Sequence, residues 1–245
     1  MPVSTVTRAI ALSIVLDQAT SLWLGLAGSP NARAEFPALR NHASLALQAL
    51  WEADHWPDLC PLEQRTPASG LIAYEQSGQT VVGEFLGCFD KDIRLIANQG
   101  YKNYGFVLSG AGAYPKSSAT TVWLHSRLRC PLLIGAEYDA TVSYAAGKQV
   151  YYTATDGTSD LWDVVTTTTI ADTPVSAAAK FAQVKIPWIF RSALAYATAG
   201  LALIAEGKPQ QGSLMLRAAE QAAGLPADVL FRQQMLAPAP LRKAA

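Results

Sequence analysis

The sequence predicts an α+β fold in which helices from the two ends of the chain flank a long β-rich middle. Apolar residues recur at helical spacing up to about residue 55 and again after about residue 180. Between these parts, short runs of strand-forming residues alternate with turn residues, which is typical of an antiparallel sandwich or barrel. We expect a helical bundle or hairpins from 1–68 and 180–236, an inserted β domain at 69–179 and a mobile tail at 237–245.

The helices are predicted from apolar side chains that recur every three or four positions. They are expected at 4–26, 37–55, 187–205, 210–223 and, as a shorter helix, 227–236. Gly207 stands where a glycine commonly ends a helix, and Pro209 stands where a proline commonly starts one. Because the connection between the third and fourth helices is so short, we expect them to form an antiparallel hairpin.

The β-rich middle contains runs of strand-forming residues separated by turns. The candidate strands are 71–74, 80–89, 93–98, 104–109, 120–128, 140–144, 150–154 and 161–169. Gly147 and the Asp156-Gly157 pair mark turns, because these residues tolerate positive φ. The glycine-rich stretch 110–115 is expected to be a flexible loop. Thr166–Thr169 is expected to be an exposed strand edge, which a neighbouring subunit can cover by strand pairing.

Charge and hydropathy argue against several classes of function. Half of the residues are hydrophobic and 16% are charged, against about 25% in typical soluble domains. Such a composition favours a large interior or surfaces that partners cover. The net charge is zero and Lys and Arg do not cluster, so neither a nucleic-acid patch nor a polybasic membrane anchor is predicted. No apolar run approaches the ~20 residues of a membrane span.

The histidines and cysteines do not form a recognisable catalytic or metal-binding pattern. His55 lies beside Asp54 and Asp58, but no two of the three histidines have the spacing of metal ligands. His42, His55 and His125 are therefore interpreted as structural. The cysteines, Cys60, Cys88 and Cys130, are far apart and are expected to be reduced thiols.

A cluster of charged residues at a predicted turn and a glycine pair in a loop also have simple interpretations. Asp90, Lys91, Asp92 and Arg94 could provide acid–base chemistry, but a solvated hairpin turn explains them equally well. Gly110 and Gly112 are not followed by the Gly-Lys-Ser of a phosphate-binding loop. We therefore predict that the protein is not an enzyme and uses neither a metal nor another cofactor.

Aromatic residues are concentrated in the stretch from Tyr144 to Trp162, which also contains Tyr151 and Tyr152. Aromatic side chains on short strands can stack on sugars or insert into a partner's surface. The alternative is that they form the core of a small sandwich. We take these four residues as candidate partner-binding residues and keep the core interpretation open.

Several segments occur in an order that is typical of one protein family. They are Asp54-His-Trp-Pro-Asp-Leu59 after a helix, Val82-Gly-Glu-Phe-Leu-Gly87, Thr121-Val-Trp-Leu-His125, Gly147-Lys-Gln-Val-Tyr-Tyr-Thr-Ala154, and Val184-Lys-Ile-Pro-Trp-Ile-Phe190 opening an alanine-rich helix, followed by Glu206-Gly-Lys-Pro-Gln210. Over roughly residues 35–235 the chain resembles the neck proteins of tailed bacteriophages, which are the head-to-tail connectors or adaptors that dock beneath the portal ring.

The resemblance implies a structural virion protein at the head–tail junction, made in the host cytoplasm and without a membrane partner. About twelve copies would form a ring, with helices facing the portal and the channel. The β insertion would face outward or pack on the neighbouring subunit. The implied partners are the portal, downstream neck and tail proteins, and DNA that passes through the lumen during ejection without sequence-specific binding. The C-terminal tail, with Leu236, Pro238, Pro240 and Leu241, would insert into a groove of the portal.

The aromatic stretch also resembles the core of small carbohydrate-binding modules, including chitin-binding ones. This second resemblance rests on Tyr144-Ala-Ala-Gly147, Val150-Tyr-Tyr-Thr-Ala154 and Trp162. It implies a decoration protein whose β insertion binds glycans. No Pro/Ser/Thr-rich linker surrounds the stretch, so a free-standing sugar-binding domain is not expected.

Overall fold

A computed structural model describes residues 9–25, 36–54, 56–75, 81–95 and 100–224. Within these ranges the protein is α+β, with four α-helices and four small sheets, none of which closes into a barrel. The predicted short helix at 227–236 and the tail at 237–245 lie outside the described residues.

The chain divides into two compact units. The described residues of unit 1 lie within His55–Cys130, and those of unit 2 lie within Arg8–Asp54 and Pro131–Ala245. This division differs from the predicted boundaries of the β domain at 69–179, because the strands after residue 131 group with the helices and not with the earlier strands.

Unit 1 consists of two three-stranded antiparallel sheets. Its strands are β2 (Leu62–Arg65), β3 (Ile72–Ala73), β4 (Val82–Phe89), β5 (Phe106–Ser109), β6 (Gly112–Pro115) and β7 (Val122–Leu128). The sheet orders are β2-β7-β4 and β3-β6-β5. Both sheets contribute to one apolar core, which includes Ile72, Phe85, Ala113 and Leu124. Because β2 pairs with β7, the chain enters and leaves unit 1 on neighbouring strands, as an inserted unit requires.

Strand β6 replaces the flexible loop that was predicted at 110–115. It pairs with both β3 and β5, so its backbone is hydrogen-bonded on two sides. Gly112 has φ +152°, and a Cβ there would lie 2.1 Å from the carbonyl oxygen of Ile72. Glycine is therefore needed here because the two strands lie too close for a side chain, and not because the segment is flexible.

Unit 2 contains the four helices, and α3 is at their centre. They are α1 (Leu12–Leu24), α2 (Phe36–Ala53), α3 (Arg191–Ala205) and α4 (Pro209–Ala223). Helix α3 packs against each of the other three, and its alanines are buried on almost every side. A helix that is apolar all round belongs in an interior, and small side chains allow three neighbours to approach it. The predicted hairpin of the third and fourth helices is confirmed by this packing.

Unit 2 also contains two sheets. Strand β1 (Ala9–Ala11) pairs with β12 (Lys185–Pro187). Residues 9–11 are therefore a strand, although they lie within the first helix predicted at 4–26. The larger sheet has the order β11-β10-β9-β8, made of Phe181–Gln183, Ser159–Val164, Gln149–Thr153 and Ala136–Glu137. It is antiparallel except for the short β8–β9 pair, which is parallel.

Three strand predictions in the middle of the chain were wrong. Ile93–Leu95 is a 3-10 helix, and the Asp92 carboxylate, which accepts hydrogen bonds from the Arg94 backbone and side chain, favours that turn. Residues 140–144 form a loop. Strand β10 ends at Val164, so Thr166–Thr169 is a loop instead of an exposed edge, and Thr168 within it is 3% exposed.

One stretch of the described residues, Trp188–Ala205, is long and apolar enough to cross a membrane, and 56% of it is buried inside the protein. It comprises α3 and the 3-10 turn before it. Its apolar character is accounted for by its central place among the helices of unit 2.

Candidate functional site

The four aromatic residues singled out in the sequence lie together in unit 2, in or beside its four-stranded sheet. Tyr151 and Tyr152 are on β9, Trp162 is on β10, and Tyr144 is in the loop before β9. Val150 pairs directly with Trp162, so these two residues share one face of the sheet with Tyr152, while Tyr151 points to the other face. The aromatic set is therefore divided between two environments.

Tyr151 is part of the interior of unit 2. Its ring is 6% exposed and lies 4.8 Å from the ring of Phe36 at the start of α2. Arg40, one turn along that helix, lies over the Tyr151 ring at 5.9 Å and donates a hydrogen bond to the Gly135 carbonyl oxygen. The Tyr151 hydroxyl donates to a carboxylate oxygen of Glu137 at 2.9 Å. Tyr151 thus joins the sheet to a helix, and little of its side chain is exposed.

The other face carries an aromatic cluster centred on Tyr138, a residue that the sequence analysis missed. The Tyr138 ring lies 5.8 Å from Tyr144 and contacts Tyr152 edge-on at 5.5 Å. Val150, Val164 and Phe181 form the buried centre beneath these rings and Trp162. Most of the ring surface is consequently used within the cluster. Tyr138 was missed because the adjoining strand has only two residues, too few to show an alternation of polar and apolar residues.

A cavity of about 170 Å³ opens beside this cluster. It is lined by Glu137, Tyr138, Tyr151, Tyr152 and Thr153. The Tyr138 hydroxyl is buried and has no hydrogen-bond partner, and burial raises the pKa of this phenol. The cavity thus offers a carboxylate and aromatic rings, which are groups that can orient a small polar ligand.

Two neighbouring loops beside the aromatic cluster, residues 139–147 and 165–176, form what we call the loop pair. The Thr168 amide donates to the Tyr144 carbonyl oxygen at 2.9 Å, and the Tyr144 amide donates to the Thr168 hydroxyl at 2.8 Å. The Ala171 amide donates to the Ala140 carbonyl oxygen at 3.0 Å. These bonds hold the two loops to each other along their length.

The two carboxylates of the loop pair accept hydrogen bonds, and several of its aliphatic side chains are exposed. Asp139 accepts hydrogen bonds from the amide and hydroxyl of Thr141, and these bonds lower its pKa. Asp172 is paired with Lys180 at 2.6 Å, and this bond with those from Thr169 lowers the pKa of Asp172 to about 2. Large aliphatic side chains on the loop pair are 43–71% exposed, namely Val142, Val165, Ile170 and Val175.

Unit 1 has an exposed apolar feature of its own, the hairpin of β5 and β6, which we call the apolar hairpin (residues 103–116). Val107 and Tyr114 are paired across it and are 55% and 44% exposed. Leu108, on the same face of β5 as Phe106, is 58% exposed near the turn. Phe106 on the opposite face packs into the core of unit 1. The hairpin therefore has an inward apolar face and a second apolar face that the described residues leave uncovered.

Comparison of the chain with protein-family models, curated proteins and solved structures found no match. Both resemblances noted in the sequence therefore remain predictions.

The other candidate residues have structural surroundings. Among the described residues no three His, Cys, Asp or Glu side chains are grouped as metal ligands. Asp92 pairs with Arg94 at 2.7 Å, and the Asp90 carboxylate accepts from the Lys102 amide at 2.8 Å. The segment differs from the predicted solvated hairpin turn, because Asp92 is buried and Ile93–Leu95 is a 3-10 helix. His125 is on β7, and His42 is on α2, where burial lowers its pKa.

Some predicted residues lie outside the described ranges. They are His55 and the tail residues Leu236, Pro238, Pro240 and Leu241. Their proposed roles stand on the sequence alone.

Proposed function

We propose that this chain is a structural protein of a tailed-phage neck, which forms a ring that connects the portal of the head to the tail. The observation that carries the proposal is the exposure of large aliphatic and aromatic side chains at separate places in both units, in a chain with only 16% charged residues. Monomeric proteins seldom leave several apolar patches uncovered. A ring subunit needs them, because neighbours cover it on more than one side.

The polar groups of the described residues support a structural role better than a catalytic one. A buried carboxylate of unit 2, that of Asp160, accepts hydrogen bonds from Ser13 at 2.9 Å and Gln183 at 2.7 Å. This carboxylate therefore joins α1 to the sheet. The buried guanidinium of Arg65 pairs with Glu63 on the same strand at 3.0 Å. The Asp160 carboxylate therefore holds elements together, and the Arg65 guanidinium is paired within its own strand.

In the proposed ring, about twelve copies surround a lumen through which DNA passes. The zero net charge of the chain supports the passage of DNA without tight binding, because tight binding of phosphate requires clustered Lys and Arg. The portal lies on one side and downstream neck and tail proteins lie on the other. The protein is made in the host cytoplasm and ends in the virion.

The tail residues after 236 are proposed to bind a groove of the portal. Their proline-rich, apolar composition suits an extended segment that orders on binding. Deleting residues 237–245 should weaken portal binding while leaving the native mass of the protein alone unchanged. Unchanged portal binding would remove this part of the proposal.

The test of the main proposal is native mass spectrometry of the protein alone and mixed with a candidate portal ring. We expect a species of about a dozen copies, alone or on the portal. A chain that stays monomeric and does not bind the portal would overturn the proposal.

A second function, glycan binding by unit 2, is favoured by the cavity beside Tyr138 and Tyr152. A sugar could stack on an aromatic ring there and hydrogen-bond to Glu137. A glycan array probed with the wild-type protein and with Tyr152→Ala tests it. Loss of a signal in the variant would support glycan binding, and no signal from the wild-type protein would eliminate it.

A further inference from the structure

Apart from Asp139 and Asp172, the loop pair of unit 2 contains no charged residue. No charged residue occurs between Asp139 and Lys148 or between Asp163 and Asp172. Within these stretches Val142 is 43% exposed and Ile170 is 67% exposed, and each lies within two residues of the Ala140–Ala171 hydrogen bond that joins the loops. Asp172 is paired with Lys180, and the loop pair itself contains no Lys or Arg that would bind phosphate or an acidic partner.

The loop pair is also fixed before any partner arrives. Its backbone is bonded loop to loop, and its two carboxylates are bonded within the same loops or to Lys180. Preorganised loops lose little conformational entropy on binding, so exposed aliphatic side chains on them contribute more to affinity than those on mobile loops. Such a surface suits a protein partner with a matching uncharged, apolar patch.

The chain itself carries a patch of that kind in the apolar hairpin. No charged residue occurs between Lys102 and Lys116, although about one residue in six is charged over the whole chain. Val107 and Tyr114 share the outward face. Strand β5 is the last strand of its sheet, so its outer edge can accept an additional extended segment.

We propose that the loop pair of one copy docks on the apolar hairpin of a second copy. Each copy has both surfaces, so its loop pair can bind one neighbour while its apolar hairpin binds another. Repetition of this contact forms a closed ring when the rotation between neighbouring copies is a whole fraction of a full turn. This inference rests on the proposed function, since it identifies the contact that builds the ring. It assigns the exposed apolar residues of the loop pair and of the apolar hairpin to the two sides of one interface.

A lipid surface is the main competing partner for exposed aliphatic loops, and the composition disfavours it. Loops that insert into a bilayer usually combine aliphatic residues with Trp at the interface and Lys or Arg at the headgroups. The exposed part of the loop pair has none of these and contains a run of threonines, Thr166–Thr169.

The test is photo-crosslinking from position 170. Ile170 is replaced by p-benzoylphenylalanine, and light and isotopically heavy copies are mixed, with and without the portal. Trypsin cuts after Lys102 and Lys116 and so releases the apolar hairpin as a single peptide, 103–116. We expect crosslinks between heavy and light chains that join position 170 to this peptide. The matched control places the crosslinker at Leu214 on α4, which is 63% exposed against 67% for Ile170, and should not label the peptide.

Charge variants provide a second readout. Ile170→Asp and Val107→Lys should each weaken self-association or assembly on the portal by at least about tenfold, because each buries an unpaired charge. The double variant should recover part of the loss, because the two charges meet across the interface. Leu214→Asp should have no effect on self-association.

The outcomes separate this inference from the proposed function. A ring whose crosslinks map away from 103–116, or that is unaffected by Ile170→Asp, overturns the docking while the neck proposal stands. A chain that forms no intermolecular product alone or with the portal overturns both. Binding of the wild-type protein, but not Ile170→Asp, to neutral lipid vesicles without inter-chain crosslinks would replace the docking with a membrane contact.

Discussion

Helices α3 and α4 meet where each has a glycine, and this contact allows a sharp test of the packing in unit 2. A Cβ at Gly212 would lie 2.6 Å from the carbonyl oxygen of Gly200 and 2.5 Å from Cγ1 of Ile204. The Ile204 side chain is half-buried and can rotate, but the Gly200 oxygen is part of a helix backbone. Reaching an ordinary contact of about 3.4 Å requires the helices to separate by about 0.8 Å (3.4 − 2.6).

Two effects of opposite sign decide the outcome of Gly212→Ala. Alanine in a helix is favoured over glycine by about 1 kcal/mol. Overpacking a well-packed contact costs about 1–3 kcal/mol, and here the separation also loosens Leu216 and Ala219, which are 1% and 0% exposed. Because the obstruction is backbone, we expect the steric cost to be at the upper end, so that unfolding becomes easier by about 2 kcal/mol.

Gly200→Ala should cost less, since its Cβ would be 2.9 Å from the Gly212 oxygen and at least 3.2 Å from the side chains nearby. The double variant should cost less than the sum, because one separation of the helices accommodates both methyl groups. Urea unfolding followed by circular dichroism, with hydrogen exchange of the α3 and α4 peptides, measures these effects in a chain of two units. The control is Gln211→Ala, on the exposed side of the same turn. If Gly212→Ala resists urea as well as wild type, then the helices are not held at this separation.

Three further predictions concern buried or paired side chains. Asp160→Ala removes the acceptor of three hydrogen bonds and should lower the free energy of unfolding by about 2–3 kcal/mol. Asp160→Asn should cost less, because burial already raises the pKa of this carboxyl and so disfavours its charge. Equal losses of stability for the two variants in urea unfolding would contradict this prediction. The Asp172 carboxylate, with its pKa lowered to about 2, should contribute its full stabilisation above about pH 4 and lose it as the pH falls through about 2. In Lys180→Met this carboxyl should titrate at a higher pH when followed by NMR. An unchanged titration would show that Lys180 does not cause the lowered pKa. Burial raises the pKa of the Cys88 thiol to about 11, so iodoacetamide at pH 8 should label it last of the three cysteines by mass spectrometry, and only in urea at an appreciable rate.

Regular packing made the helices the most predictable part of the fold. The stripe of Leu39, Ala43, Ala46, Leu50 and Ala53 predicted α2; the first four are fully buried and Ala53 is half-buried. The start of the first helix was misplaced, because residues 9–11 have helical composition but pair with β12 as a strand. Local propensity cannot anticipate a partner more than 170 residues away.

The strands were less predictable because several owe their existence to neighbours and not to their own composition. Strand β2 is missing from the predicted strands, since Leu62-Glu-Gln-Arg65 lacks β-branched residues. Its Arg65 is fully buried and forms an ion pair with Glu63. A hydropathy pattern does not predict a buried arginine.

The candidate site was only partly visible in the sequence. The sequence places the four aromatic residues in one stretch, but the structure divides them between two faces of a sheet, and whether a ring is exposed depends on what packs over it. Phe36 and Arg40 cover Tyr151 from a helix more than 100 residues earlier. The loop pair was interpreted as strand at both of its segments, because Val, Thr and Ile favour strands, whereas the hydrogen bonds of Tyr144 and Thr168 fix it as loops.

The pairing of β1 with β12 has a consequence for how the chain folds as it is made. Ala11 finds its partner Lys185 only after 174 further residues have been added (185 − 11), which takes roughly 9–35 s at ribosomal rates of 5–20 residues per second. During that time α1 and α2 cannot bury their apolar faces against α3, whereas the strands of unit 1 are already complete by residue 130. Unit 1 should therefore form first on the ribosome, and the early helices should depend on chaperones until the alanine-rich helix emerges.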